Sequence, residues 1–504
     1  MSLLGIDIGT SGCKAIAFTV NGEAIAGSRV DYDVVVREPG YAELDTMDVW
    51  EKVQRSISET ARETRNDPIE AISISSLGEA VVPVSKERSI LGPSILFIDR
   101  RGEEYVDVIN SAVSPSRLYK ITGNSVGSHY SLPKLMWIKE HEPDLYRRSD
   151  RFLLWGGFVA YMLGAAPTVD YSLANRTLCF DIGRCDWSEE LLAVGGIERR
   201  KLPEISRSGT IIGNVSRDVA LKLNLPEGAT IVAGGHDQCV NAIGCGVLDG
   251  GQAMYGMGTF LTAAPVYNHR VESTEAMLRL GLNTEHHTRA DRFVSFIYNQ
   301  GGCLVKWYRD TFAAAEHRED ALNGHDTYAR LFSEMPDHPV SVTALPYFTG
   351  TGPPNFHPDP SGSISGLQLT TSRAEILKGI LQGITFYLKK SIEALPEVGA
   401  KITEFRAVGG GSKSDAWLQV SADILNIPFT RAAVSEAGAL GAAIISGVGS
   451  GLFASFEDGV ENMVTLERIF TPDSSRGDQY APCYERYLSM EEIAEEQFRT
   501  MKHR

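Results

Sequence analysis

The sequence has no C-x-x-C pair, no long apolar run, no surplus of positive charge and no low-complexity block. Its seven cysteines, Cys13, Cys179, Cys185, Cys239, Cys245, Cys303 and Cys483, are odd in number and scattered. That pattern excludes a disulfide framework and points to reduced thiols in a cytoplasm. No Cys/His spacing has the form of a zinc site, and the adjacent His286-His287 read as surface or structural histidines. No apolar stretch reaches the roughly 18 residues that span a bilayer. The start, Met1-Ser2-Leu3-Leu4-Gly5-Ile6-Asp7, has no basic leader, so no signal peptide is expected. Lysine and arginine number 48 against 64 aspartate and glutamate, a formal net charge of −16. Such a surface repels nucleic acid and anionic membrane. A nucleotide remains possible, because backbone amides and a bound cation override the global field locally.

Against these absences, hydrophobic residues make up 43% and charged residues 22% of 504, as in a soluble globular protein. The length suggests about two to four domains. Residues 3–8 and 15–20 read as strands around a Gly-rich turn. Asn21-Gly22 is a hairpin signal, and 23–26 resumes a strand. The pattern then predicts a helix over 48–63, with Val49, Trp50, Val53 and Ile57 on one face, and strands over 71–75 and 80–84. Residues 133–163 look largely helical, and 230–235 is a buried strand that runs into a loop at His236-Asp237. The second half opens as the first does, with strand, Gly/hydroxyl turn and strand around Gly256-Met257-Gly258-Thr259, which predicts a duplicated architecture. The boundary falls in the glycine-rich stretch 244–251. Helices are expected over 372–395, after Ser412 to about 425, and over 435–445, with a polar tail from Asp473 ending in a charged surface helix.

Four motifs can carry chemistry. In Asp7-Ile8-Gly9-Thr10-Ser11-Gly12-Cys13-Lys14, the glycines let a backbone approach phosphate closely. The N–H groups and the Thr10 and Ser11 hydroxyls can donate to it, Lys14 adds charge, and Asp7 can hold Mg²⁺. An ordinary hairpin turn explains the motif about equally well. The turn opens a hairpin rather than a helix, so it is neither a Walker A loop nor a dinucleotide fingerprint. Tyr255-Gly256-Met257-Gly258-Thr259 is its counterpart in the second half, and two such turns suit a clamp around a polyphosphate. In Gly234-Gly235-His236-Asp237-Gln238, a loop carboxylate after a buried strand can take a proton from an attacking hydroxyl. Read alone, Asp237 is better explained as the cap of the helix that follows. Gly409-Gly410-Gly411-Ser412, running into a helix, could seat a flat ring or an anion, although a capped strand-to-helix turn explains it somewhat better.

In their collinear order these motifs resemble the FGGY carbohydrate kinases of the actin/hexokinase-like ATPase superfamily. Further pieces of the resemblance are Gly40-Tyr41-Ala42-Glu43, Phe97-x-Asp99-x-Arg101, Lys134-Leu135-x-Trp137, Asp170-Tyr171-Ser172 with Arg176-Thr177, Leu202-Pro203-Glu204-Ile205, Asn299-Gln300-Gly301-Gly302 and Leu345-Pro346-Tyr347-Phe348. The resemblance covers residues 4–447. It implies an α/β fold of two RNase-H-like domains with a cleft between them. Residues 1–246 would form a sugar-binding domain, 247–450 an ATP-binding domain, and 451–504 an extension packed on both.

The resemblance also implies roles. Asp237 would be the general base, and Asp7 and Asp237 the Mg²⁺ carboxylates. Thr10, Ser11, Gly12 and Lys14 would face the phosphates with Gly258, Thr259, Gly301 and Gly302, and Gly410, Gly411 and Ser412 would lie on the adenosine. Gly78, Glu79, Asp99, Tyr130, Asp237 and Gln238 would contact the sugar. Gly78-Glu79 matches neither the Met-His usual in xylulose kinases nor the Arg-Glu of glycerol kinases. The Glu-Arg usual after Tyr-Phe is replaced in Gly350-Thr351-Gly352-Pro353-Pro354. The expected activity is ATP-dependent phosphorylation of a small sugar. A ketopentose such as xylulose leads, with gluconate, other ketoses, glycerol or another polyol behind it. Partners would be sugar and ATP only, in a cytoplasmic protein, and homodimers are common among the members. The rival readings are a sugar- or nucleotide-binding homologue without catalysis and an actin-like filament ATPase.

Overall fold

The computed structural model describes residues 1–349 and 362–501, with side chains to residue 496. The substituted Gly350–Pro354 segment lies outside the described residues. The chain opens with three antiparallel strands, β1 (Ser2–Ile8), β2 (Gly12–Phe18) and β3 (Ala24–Asp31). In β2, Cys13, Ala15 and Ala17 point inward and alternate with half-buried residues, the period of a strand with one covered face. Gly22 turns the β2–β3 connection at φ +81°, a backbone region that favours glycine. Helix α1 (Thr46–Glu63) is capped by Asp45, whose carboxylate accepts from the Met47 and Asp48 amides. It buries Val49, Trp50, Val53 and Ile57 against the sheet. Strand β4 (Ile69–Ser76) then pairs parallel to β1. Strand β5 (Ile211–Asn214) is an antiparallel edge to β6 (Thr230–His236), which pairs parallel to β4. The sheet order is β5-β6-β4-β1-β2-β3.

The second half repeats this path. After helix α2 (Asp237–Gly244), strands β7 (Gln252–Met257), β8 (Phe260–Tyr267) and β9 (Ile297–Gln300) form an antiparallel meander. Helix α3 (Gly302–Phe312) follows β9. Helix α4 (Arg373–Ala394) starts at a capping box between Ser372 and Glu375. Strand β10 (Glu404–Val408) pairs parallel to β7, and after helix α5 (Asp415–Leu425) strand β11 (Phe429–Ala432) pairs parallel to β10. After helix α6 (Ala437–Gly449), β12 (Leu466–Phe470) closes the edge antiparallel to β11. The path β9-β8-β7-β10-β11-β12 matches β3-β2-β1-β4-β6-β5 strand for strand. The expected duplication is therefore one of topology. Two short strands, Glu285–His286 and Phe293–Val294, extend the far end of β8.

Three elements differ from the sequence pattern. Residues 133–163 are not continuous helix: between helices Ser131–His141, Pro143–Arg148 and Trp155–Leu163 lies a strand, Arg151–Leu154, paired with Val81–Val84. Its four residues are apolar enough to read as helix, and only the partner strand decides. Helix α6, expected with the second half, lies on the first sheet. A Cβ added at Gly5 of β1 would meet the Ala439 carbonyl at 1.8 Å. The same helix crosses α2 at backbone distance, since a Cβ at Gly441 would stand 2.0 Å from the Val240 carbonyl and one at Gly244 1.9 Å from that of Ala437. The charged C-terminal helix α7 (Ser474–Met501) is no mere surface element, because it buries Tyr480, Cys483 and Tyr487 in the core of the second half. No described helix is long and apolar enough to cross a membrane.

Candidate active site

The parallel strands β1, β4 and β6 end side by side, with Asp7 opposite Ser75 and Gly235 opposite Ser75 on its other flank. Ligands of open parallel sheets lie beyond such carboxyl ends. A cavity of about 690 Å³ opens there, and Thr10, Gly78, Glu79, Tyr130, Asp237 and Gln238 all line it. Six expected residues, drawn from separate segments of the chain, thus share one space.

Asp237 is the first residue of α2, with its side chain 26% exposed. Burial, with Asp7 and Glu79 nearby, pushes its carboxyl up to about 7, against the hydrogen bonds of Gln238. His236 Nε2 lies 3.3 Å from Asp237 Oδ1. Burial holds this imidazole well below its usual range, so the contact is made by a neutral ring. The strand end is pinned from beneath: the His236 amide donates to Ser172 Oγ at 2.9 Å, and that hydroxyl donates to Asp170 at 2.6 Å. Asp237 is thus not the cap of the helix: His236 holds the N-cap position, no side chain caps it, and Asp237 is an acidic residue of the first turn.

Asp7 accepts from Ser75 Oγ at 2.7 Å, and burial raises its carboxyl. It abuts the start of α6, where a Cβ at Gly438 would stand 2.7 Å from the Asp7 carboxyl carbon. The first turn is closed by Gly9 N–H donating to the Gly12 carbonyl at 2.9 Å. The Tyr32 hydroxyl braces both, 2.6 Å from Gly9 O and 3.0 Å from Gly12 O. Ser11 is exposed, and Lys14 pairs with Glu436, at the start of α6.

The second turn is bound to the helix that follows β9. The Gly302 amide donates to Gly258 O at 2.9 Å and the Cys303 amide to Thr259 O at 2.9 Å. A Cβ at Gly302 would meet Gly258 O at 2.6 Å, so only glycine allows this approach. Gly409, at φ +92°, and Gly411 rest on Met257, while Gly410 faces open space. Ser412 is buried and donates to Gly409 O at 2.7 Å. The Gly258, Gly301 and Gly410 segments therefore meet at the ends of β7, β9 and β10.

The polar floor of the cavity holds groups that the motifs did not single out. Arg176 donates from Nε to Glu79 at 2.8 Å, also from Nη2 to Glu79, and from Nη1 to Glu285 at 2.5 Å. Glu285 also accepts from Asn283 at 2.8 Å. Glu79 has φ +58°, a strained backbone for a residue with a side chain. The Arg176 pair and the Ser131 hydroxyl, 2.5 Å from Glu79 O, hold it there. Arg176 was legible as part of the Asp170–Thr177 segment. Glu285 carried no signal, because its partner lies 109 residues away. His286 and His287, beside it, are both buried.

Asp99 does not face the cavity. Its carboxylate is fully buried and saturated by the Arg101 guanidinium, the Arg101 amide and the Ala42 amide at 2.6 Å. Its neighbours Phe97 and Ile98 line the space instead. Asp99 therefore folds the 97–101 loop and, against expectation, is not among the residues that line the cavity. Among the described residues no group of three His, Cys, Asp or Glu side chains converges as a metal cage. Asp7 lies near enough to Asp237 to raise its carboxyl, so two carboxylates stand together at the end of the first sheet.

Residues 2–244 match the N-terminal domain, and residues 270–450 the C-terminal domain, of the FGGY family of carbohydrate kinases. The chain belongs to this family. It is a carbohydrate kinase, and ATP binding follows from the family. A xylulose kinase of Bacillus subtilis (strain 168) is 29% identical over 494 residues, covering 97% of this chain and 96% of that protein. A gluconokinase of the same organism is 24% identical over 503 residues, covering 98% and 96%. Among solved structures, a xylulose kinase from Rhodospirillum rubrum superposes with a TM-score of 0.88 at 22% identity, covering 99% of this chain and 100% of that one. A glycerol kinase from Plasmodium falciparum, solved with ADP, gives 0.83 at 21%, covering 97% and 98%. These likenesses establish that the kinase has the FGGY fold of two actin/hexokinase-like domains.

Proposed function

We propose that this FGGY kinase transfers the γ-phosphoryl group of ATP to a hydroxyl of a small ketose, a ketopentose such as xylulose before all others, with Asp237 as the base. The observation that carries this reading is Asp237 itself. It is a carboxylate at the start of a helix, pushed up to about 7, inside the cavity that also holds Glu79 and Thr10. A base poised near neutral pH is matched to a hydroxyl that becomes acidic only as it attacks.

In the reaction so read, Glu79, Tyr130 and Gln238 orient the acceptor, and Asp237 takes the hydroxyl proton as the oxygen bonds to the γ-phosphorus. The bond to ADP breaks, and ADP leaves with that electron pair. The Gly258-Thr259 turn and the Gly301-Gly302 start of α3 face the phosphates, where a helix N-terminus favours anions, and Thr10, Ser11, Gly12 and Lys14 face them from the other half. Gly410, Gly411 and Ser412 form the shelf for adenosine. Asp7 and Asp237 would hold a Mg²⁺ ion, which when bound would supply positive charge against the phosphates. Closure of the two halves keeps water from the phosphate. Free thiols at all seven cysteines support a cytoplasmic setting. We assign residues 1–246 to acceptor binding and 247–450 to nucleotide binding, except that helix α6 packs on the first sheet.

A coupled ADP-release assay over ketoses, polyols and aldonates tests the reading. D-xylulose is expected to give the highest kcat/KM. ATP turnover independent of every acceptor would sink it.

A further inference from the structure

The polar groups of the acceptor cavity have one electrical character. Among the described residues that line it, Arg176 is the one guanidinium, and Nε, Nη1 and Nη2 all donate to Glu79 or Glu285. Its charge is met by two carboxylates, with Asp237 as a third on the same cavity. The two histidines of the lining, His129 and His236, are kept neutral by burial.

Carboxylate acceptors stand open to a ligand beside the hydroxyls of Thr10, Ser125, Thr262 and Tyr298, and no uncancelled cation is among the described lining residues. Both Glu79–Arg176 hydrogen bonds use Oε1, which leaves Oε2 for a donor. Gln300 lines the same cavity, 1% exposed. Its amide nitrogen donates to the Thr349 carbonyl at 3.0 Å, which leaves its Oε1 buried and, among the described residues, without a partner. Asp237 adds two more acceptor oxygens. A hydroxyl can donate to each of these. A carboxylate has no proton to give, and a charge moved from water into such a space is costly without a cation opposite it.

We propose that this cavity selects a neutral polyhydroxylated acceptor and rejects one that carries a carboxylate, with the Glu79–Arg176–Glu285 triad as the specificity determinant. The proposal deepens the reading of the same site given above, and it separates this chain from the substrate named by its gluconokinase relatives. It requires no new contact, only that the guanidinium stays cancelled.

The test is titration calorimetry on the intact protein with D-gluconate and D-glucitol, which have the same carbon chain and differ by carboxylate against hydroxymethyl. D-xylulose is run as a third ligand, and all three go through the ADP-release assay. D-glucitol should bind more tightly than D-gluconate by at least about tenfold, and D-xylulose should exceed D-gluconate in kcat/KM by about a hundredfold or more. Equal or tighter binding of D-gluconate overturns the proposal. If no acceptor is turned over, the kinase reading falls while the binding ratio still decides the selectivity. Glu285→Gln releases part of the Arg176 charge and should shift the gluconate-to-glucitol affinity ratio toward gluconate by about tenfold. An unchanged ratio in the folded variant counts against the triad, and if that variant does not fold, the wild-type ratio alone decides.

Discussion

The two ends of the cleft are made of different material. Around Glu79 the site is built from charged side chains, each tied to another: Glu79 to Arg176, Arg176 to Glu285, Glu285 to Asn283. Around Gly258 and Gly302 it is built from backbone, with amide to carbonyl at 2.9 Å and no room for a side chain. Side chains distinguish one arrangement of hydroxyls from another, whereas closely packed glycine backbone offers a ligand shape rather than chemistry. In the reading proposed above, the charged end takes the acceptor and the backbone end the nucleotide.

Asp237, between the two ends, gives the largest expected effect. Asp237→Asn should lower kcat by about a thousandfold while both ligands still bind, as measured by turnover and calorimetry. A loss of binding instead would place Asp237 with one end rather than between them. Next, Arg176→Ala leaves Glu79 and Glu285 buried without a cation, which costs about 3–5 kcal/mol in denaturant unfolding and removes acceptor affinity. A mild change would mean that water screens the triad, and the contrast with the backbone end would weaken. Gly302→Ala pushes a methyl to within 2.6 Å of Gly258 O and should raise KM for ATP by about tenfold, with KM for the acceptor unchanged.

The pH dependence is smaller. The competent form of Asp237 is the carboxylate, and its carboxyl is pushed up to about 7, so activity rises with pH through that value and levels above it. The fall in kcat/KM from pH 7 to pH 6 should be about fivefold, read from initial rates of the free enzyme. A profile flat to pH 5 would remove the case for burial as the tuning force. The mildest effect is at Lys14, which is partly exposed and already paired with Glu436. Lys14→Ala should raise KM for ATP by about threefold with almost no change in stability.

The glycine end was legible in the sequence because its logic is local: a turn, its glycines and the helix after it are neighbours in the chain. So were the duplicated strand path and the Asp237 loop. The charged end was only partly legible. Glu79 stood out, yet its state depends on Arg176 and Glu285, which reach it from distant segments. Asp99 shows the converse. It sits in a suggestive segment, but its Arg101 partner is two residues away, and the pair is spent on the 42–43 segment, where Ala42 donates to Asp99 and Glu43 pairs with Arg101. The strand Arg151–Leu154 was hidden for the same reason as Glu285, since pairing with Val81–Val84 is a long-range fact.

Helices α2 and α6 touch backbone to backbone where Gly244 and Gly441 leave no side chain between them, and Gly5 lets α6 lie equally close on β1. Asp237 begins one of these helices, and Asp7 abuts the beginning of the other. A pair of shears moves least at its rivet. With Asp7 and Asp237 fastened beside that rivet, closure of the two halves as proposed would carry these carboxylates a shorter way than the outer ends of the two sheets.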